Sequence, residues 1–432
     1  MATRAPSRGH GQIVASPHCP AWWLPGPHLP TLWASLAPRP GLLRPPRWER
    51  LELPDGDFLD LVHVGPMGSL AVGLARDGSP SPHPLPPGER DKNKSPAAAF
   101  GVAAAGAASG AVAADPIGPS LRSGEGREEV RNKSTVSEAA GAAGFFASSL
   151  PWGEGENESA GAPRILLLHG LEGSVRSGYC RGLLAALERA GLAATLMHFR
   201  GCGGTPNRLP RTYHAGDTAD LRHLVGVLRA RAPSAPLAAV GYSLGGNVLL
   251  KYLGEEGGET PLVAAVAVSV PFELIQCAIR MQQGFSRAYQ RYLLWGLREK
   301  IRSKFALGPC PFSLDGLDGL WDFHDFDDRI TAPLHGMSGV EEYYRRASSR
   351  QFLRGIAIPT LLLQAVDDPF LHPAALPLST DLAPAVTLEL SPHGGHVGFV
   401  EGDIPGQADY YLDRRIPAFL LAELRRSIAR VE

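Results

Sequence analysis

A surplus of charge of either sign is what this 432-residue sequence most plainly lacks. Its 42 Lys and Arg stand against 43 Asp and Glu, a formal net charge of −1. No overall field would draw such a chain to nucleic acid or to an anionic membrane surface. Paired cysteines are missing as well. Cys19, Cys180, Cys202, Cys277 and Cys310 are odd in number, widely spaced and never arranged C-x-x-C. That pattern argues against a disulfide framework or a zinc knuckle and fits a reducing cytoplasm. The opening MATRAPSRGHGQIVASPHCPAWW has no apolar core of the kind a secretory signal needs. The membrane candidate, residues 96–114, is nearly all Ala and Gly without Leu or Ile, too weakly apolar to be expected in a bilayer.

What is abundant is Gly (50) and Pro (39), both above the usual ~7% and ~5% of residues. Part of the excess falls between residues 66 and 162, a stretch of Ala, Gly, Ser, Pro and charge with almost no apolar periodicity. Such composition cannot offset the entropy of ordering the chain, so a low-complexity, disordered insertion is expected there. On its left, RLELPDGDFLDLVHV (50–64) reads as a hairpin. On its right, RILLLHG (164–170) reads as a buried parallel strand.

From there strand and helix alternate, the pattern of a parallel sheet with crossover helices. Helix 178–190 closes at Gly191 and strand 192–199 follows. A helix capped by Asp217 then carries Leu221, Leu224, Val225 and Leu228 on one face. Strand 236–243, a helix from Asn247 and strand 263–271 come next. Residues 272–355 read as a helical cap, after which strands 359–369 and 385–391 and a helix near 416–430 complete the sheet. The expected organisation is therefore an α/β fold in five pieces: an N-terminal segment with the hairpin (1–65), the insertion (66–162), a core half (163–271), the cap (272–355) and the second core half (356–432).

One motif carries chemistry. Gly241-Tyr242-Ser243-Leu244-Gly245 is G-x-S-x-G between an apolar strand and an apolar helix. A nucleophilic serine on that tight turn needs small residues two before and two after it. Its hydroxyl needs a base, and the base a carboxylate. In this arrangement the acid and then the histidine follow the serine along the chain. Asp367 and Asp368 directly follow one strand, and His393 and His396 the next, so each role has two candidates. Asp368 precedes Pro369, which biases it towards extended backbone and favours Asp367 as the residue that reaches back to the sheet edge. For the oxyanion, Leu244 supplies one backbone N–H and Leu171, in the loop His169-Gly170-Leu171-Glu172-Gly173, the expected second. His169 reads as a structural loop histidine.

These blocks resemble a known family. HGLEGS (169–174), MHFRGCGGTPNR (197–208), YHAGDTAD (213–220), GYSLGGN (241–247), GFSRAYQRYLL (284–294), FDDRITAPLHG (326–336), YYRRAS (343–348), DDPF (367–370) and HGGHVGF (393–399) are similar to the YheT-like subgroup of the α/β-hydrolase superfamily, related to ABHD1/ABHD3-type esterases. The resemblance implies an α/β-hydrolase fold, a mostly parallel twisted sheet with helices on both faces. It also implies Asp367 and His396 as the partners of Ser243, and carboxylesterase or lipase-like activity without metal or organic cofactor. One position departs from the pattern: His28-Leu29-Pro30-Thr31-Leu32 has Pro where a polar third residue is expected.

Other residues have quieter readings. Cys202 has no separate base and reads as a loop residue. Arg200 is expected to hold its loop through a carboxylate such as Asp217. GCGG has neither the spacing nor the lysine of a nucleotide loop. Phe285, Tyr289, Tyr292, Leu293 and Trp295 form an aromatic stripe that packs the cap or lines an acyl pocket. Asp327 and Asp328 suit capping or ion pairing better than glycosidase chemistry. The expected function is a cytoplasmic serine esterase acting on a small acyl ester, without nucleic acid and without membrane association beyond a lipid substrate. The alternatives are a lipase or phospholipase, and a non-catalytic binding protein of the same fold. Oligomeric state is left open.

Overall fold

The computed structural model describes residues 9–65, 161–306 and 308–430. The low-complexity reading of 66–162, including the Ala/Gly run at 96–114, lies outside the described residues except at 161–162. In chain order the elements are β1 (Gln12–Ala15), α1 (His28–Leu36), β2 (Arg47–Glu52), β3 (Phe58–Val64), β4 (Arg164–Leu168), α2 (Gly178–Arg189), β5 (Ala193–Met197), α3 (Ala219–Arg231), β6 (Leu237–Tyr242), α4 (Leu244–Glu256) and β7 (Leu262–Val268). The cap follows, with α5 (Leu274–Met281), α6 (Ser286–Phe305) and α7 (Val340–Ala347) as its longer helices. β8 (Thr360–Ala365), β9 (Val386–Ser391) and α8 (Tyr411–Ile428) return to the core.

Nine strands form one sheet in the order β1-β9-β8-β7-β6-β4-β5-β3-β2. The hairpin β2–β3 is antiparallel, β3 joins β5 antiparallel, and every other pairing in that sheet is parallel. β4, β5 and β6 are buried at every residue, as expected of strands covered on both faces. Their runs RILLL, AATLM and LAAVGY hold only one charged side chain, Arg164, at an end. The middle of the sheet thus places the C-terminal ends of β4, β6, β8 and β9 side by side. In an open α/β sheet that edge is where ligands bind.

The sheet is the one the alternating pattern predicts, and three details differ. β1 adds an edge strand parallel to β9 that four exposed residues, QIVA, gave no reason to expect. α1 holds the HLPTL segment against the core through buried Pro30, Thr31 and Ala34. The last helix begins at Tyr411 rather than near 416 and runs through Pro417. Among the described residues no helix is long and apolar enough to cross a membrane.

Candidate active site

The turn between β6 and α4 is built for Ser243. Its φ of 50° and ψ of −119° lie where a Cβ is disfavoured, at a cost on the order of 1–3 kcal/mol. The surroundings hold it there: Ser243 N–H donates to Val268 O at 2.8 Å, and Ser243 O accepts from Asn247 N–H at 3.0 Å as α4 begins. The flanking glycines are required by contact. A Cβ on Gly241 would sit 2.5 Å from Gly245 O, and one on Gly245 would sit 2.4 Å from His169 O. The first turn of α4 is therefore pressed backbone to backbone against strand β6 on one side and the end of β4 with its loop on the other.

His396 Nε2 lies 3.1 Å from Ser243 Oγ, and its Nδ1 lies 2.9 Å and 3.1 Å from the two carboxylate oxygens of Asp368. Ser243, His396 and Asp368 thus form one hydrogen-bonded line. Asp367, which the resemblance implies for the third place, is not in it. Asp367 instead accepts from Gly395 N–H at 3.0 Å and faces the exposed His393 ring at 3.2 Å. The cause is the turn after β8. Asp368 N–H bonds back to Ala365 O, and Asp368 Oδ1 accepts from Phe370 N–H at 2.8 Å. This Asx turn folds the second aspartate inward beneath the loop, where Gln364 Nε2 also reaches it at 3.2 Å. The local bias before Pro369 says nothing of that folding back, so it favoured the neighbour that does not meet His396.

The histidine loop is fixed by residues far away in sequence. His396 N–H donates to Thr31 Oγ1 at 2.8 Å, so the threonine of HLPTL holds the His396 backbone in register from α1. Val397, at a φ of 57°, donates its N–H to Ser269 Oγ at 2.9 Å. Val270 N–H donates to Gln364 Oε1 at 2.9 Å. The Phe370 ring stacks on the His396 imidazole with centroids 4.0 Å apart and planes 3° from parallel. Thr31, Ser269, Gln364 and Phe370 were not singled out from sequence. The one available signal was the position of Phe370 inside DDPF and of Thr31 inside HLPTL.

On the other side of Ser243, Leu171 and Leu244 both line a cavity enclosing about 150 Å³. Leu244 is the first residue of α4, so its N–H is one of the donors a helix start leaves unbonded within the helix. Neither its amide nor that of Leu171 has a backbone acceptor among the described residues. The loop bearing Leu171 is tightly held. Gly170 N–H donates to Tyr179 Oη at 2.9 Å, and a Cβ there would crowd Ser243 Cβ at 3.2 Å. His169 is fully buried, accepts Phe199 N–H on Nε2 at 3.1 Å and lies 2.7 Å from Gly170 O through Nδ1. Burial pulls its pKa down to about 3, helped by the neighbouring His198. It is a neutral strut.

The cavity wall is mainly apolar and drawn largely from the cap, with Ala278, Met281, Leu293, Leu297 and Ile301 among the residues that meet Phe370 and the two leucines of the turn and loop. The aromatic stripe divides accordingly. Leu293 lines the cavity, Tyr289 packs against Phe370 at 5.0 Å, and Tyr292 and Trp295 face outward at 40% and 56% exposure. Asp327 also reaches the wall, where its carboxylate accepts from Thr331 Oγ1 at 2.6 Å and Tyr344 Oη at 2.9 Å. Burial pushes its pKa up to about 6 against those two hydrogen bonds. Asp328 accepts the Val340 N–H at the start of α7, a capping contact.

Arg200 does not pair with Asp217. Its guanidinium forks onto Asp220 at 2.6 Å and 2.7 Å and also meets Asp57 and Asp55, while Asp217 pairs with Arg211. One helical turn separates Asp217 from Asp220, and only the latter lies inside α3 facing the loop. Cys202 is held by burial as a thiol, its pKa raised to about 11 although Lys300 beside it acts the other way. No group of three or more metal-ligating side chains occurs among the described residues.

Residues 163–403 match the family model described as the alpha/beta hydrolase fold. The chain belongs to the α/β-hydrolase family. It is 43% identical over 277 residues to the putative esterase YheT of Escherichia coli, covering 64% of this chain and 81% of that one. It is 32% identical over 281 residues to the phospholipase ABHD3 of Homo sapiens, covering 63% and 68% respectively. It is also 32% identical over 252 residues to the monoacylglycerol lipase of Saccharomyces cerevisiae, covering 56% of each. The resemblance to the YheT-like subgroup therefore holds, with the ABHD3 type beside it.

Proposed function

We propose that the protein is a serine hydrolase of carboxylic esters, a short- to medium-chain carboxylesterase that works through an acyl-enzyme. The observation that carries this reading is the line Ser243–His396–Asp368 with an apolar cavity next to it, walled in part by Leu244, which follows Ser243, and by Phe370, which stacks on His396, and with two unbonded backbone amides at Leu171 and Leu244. Ser243 Oγ attacks the ester carbonyl while His396 Nε2 takes its proton. Asp368, accepting from Nδ1–H, keeps the imidazole in the required tautomer and stabilises the imidazolium that forms. The carbonyl oxygen becomes an oxyanion facing the Leu171 and Leu244 N–H groups. Collapse of the intermediate expels the alcohol, which takes the proton from His396. Water then repeats the sequence on the acyl-enzyme and releases the acid. No cofactor has a step in this scheme.

The acyl chain lies in the cap cavity in this reading, because its wall is mainly Leu, Ile, Met, Ala and aromatic side chains. An apolar pocket gains roughly 0.8 kcal/mol for each buried CH₂, so kcat/KM should rise with acyl length until the cavity is full. On p-nitrophenyl acetate, butyrate, octanoate, laurate and palmitate, the expected profile climbs by up to about 15-fold per added pair of carbons and then falls. A profile that is flat from acetate to palmitate would remove the acyl role of the cavity. The phospholipase and lipase relatives make a long-chain lipid ester the second reading. A phospholipid hydrolysed faster than every p-nitrophenyl ester would select it. The cytoplasm is the compartment we assign, since all five cysteines are free thiols.

A further inference from the structure

Glu172 follows Leu171 at a φ of 53°, a left-handed conformation that a side chain resists. Three contacts converge on this one residue. Glu172 N–H donates to Tyr213 Oη at 2.9 Å, the same hydroxyl donates to Glu172 Oε1 at 2.7 Å, and Lys300 Nζ donates to that oxygen at 2.7 Å. Lys300 belongs to cap helix α6, not to the loop or the sheet. Its ammonium also lies 2.9 Å from Cys202 Sγ in the Gly-rich loop after β5 and 5.0 Å from the centre of the Tyr213 ring. Its side chain is 16% exposed and lines the cavity that begins at Leu171.

We propose that Lys300 is a positioning residue for the oxyanion site: from the cap it clamps Glu172 in its left-handed conformation and so aims the Leu171 N–H at the place where the ester oxygen turns negative. This rests on the serine-hydrolase reading above. The tyrosine hydroxyl alone anchors the Glu172 carboxylate to the segment between β5 and α3, within the sheet domain. Lys300 ties it to a second body, the cap, whose apolar residues hold the acyl chain. Filling the cavity and setting the oxyanion donor then depend on the same helix. Burial alone would lower the Lys300 pKa, but its contacts with Cys202 Sγ and the Glu172 carboxylate raise it overall; with Cys202 a neutral thiol, Glu172 is the charge that keeps the clamp protonated.

The test compares Lys300→Met, Lys300→Arg and Glu172→Gln with the wild-type chain, using a p-nitrophenyl ester and an alkyl trifluoromethyl ketone. With the ketone, Ser243 Oγ adds to the carbonyl carbon, its proton passes to His396, and the carbonyl oxygen becomes an oxyanion with no leaving group. The inhibition constant therefore reads the oxyanion site itself. In Lys300→Met, kcat should fall about 10- to 100-fold with KM nearly unchanged, and the ketone should bind more weakly by a similar factor. Lys300→Arg, which keeps a cation within reach, should regain most of the loss. Glu172→Gln should move in the same direction as Lys300→Met with near-native Tm, and it decides the matter should Lys300→Met not fold. Wild-type kcat and ketone affinity in Lys300→Met, or a rise in KM with unchanged ketone affinity, would overturn the clamp while leaving the hydrolase reading intact. Failure of a fluorophosphonate to label Ser243 in the wild-type chain would overturn both.

Discussion

Asp368→Asn is expected to lower kcat by about 10⁴, whereas Asp367→Asn should stay within about tenfold of wild type. The larger figure is what replacing a triad aspartate by its amide costs when geometry survives but the wrong imidazole tautomer is favoured. Asp368 is 3% exposed and meets His396 Nδ1 with both oxygens. An amide there presents an NH₂ group where an acceptor is needed. Asp367 touches the loop only through Gly395 N–H and the exposed His393, so its loss loosens the loop without misdirecting the base. Steady-state kinetics of the two variants and of His393→Ala on one ester would check this. A dead Asp367→Asn beside an active Asp368→Asn would return the acid to the position the family resemblance implies.

Ser243→Gly should have two opposite effects. Hydrolysis should drop by about 10⁴ to 10⁶, as for loss of any triad nucleophile. Stability should be at least that of Ser243→Ala, although glycine ordinarily costs up to about 1 kcal/mol relative to alanine. The reason is the φ of 50° and ψ of −119° at this turn. Alanine keeps the Cβ that makes this conformation costly, and glycine does not. Strain at a nucleophile is released once function is given up, a trade familiar at active sites. Thermal unfolding of both variants beside wild type would show it, and a glycine variant clearly less stable than the alanine one would mean the turn is not strained.

The parts of this site that a reader could take from the sequence are those set by local sterics. Gly241 and Gly245 mark the turn because no other residue fits between β6, α4 and the loop at His169. The strands β4, β6 and β7 announce themselves through unbroken apolar runs, and their burial on both faces explains why. What stayed hidden depends on contacts between distant segments. Nothing near Thr31 says that its hydroxyl will meet His396 N–H across 365 positions. Nothing near Ser269 marks its contact with Val397. The choice between Asp367 and Asp368 turned on a hydrogen-bonded turn, not on composition. The pairing of Arg200 with Asp220 rather than Asp217 turned on where along α3 the carboxylate faces the loop. Edge strand β1 is exposed along its whole length, so no burial pattern distinguishes it from a loop.

The central claim, that Ser243 is a nucleophile activated by His396, is tested most directly by fluorophosphonate labelling of the full chain followed by peptide mapping. The account predicts one covalent adduct, on the peptide carrying Ser243, formed rapidly in wild type, far more slowly in His396→Ala and not at all in Ser243→Ala. An adduct on a different serine, or labelling of Ser243 that proceeds at the same rate without His396, would contradict it.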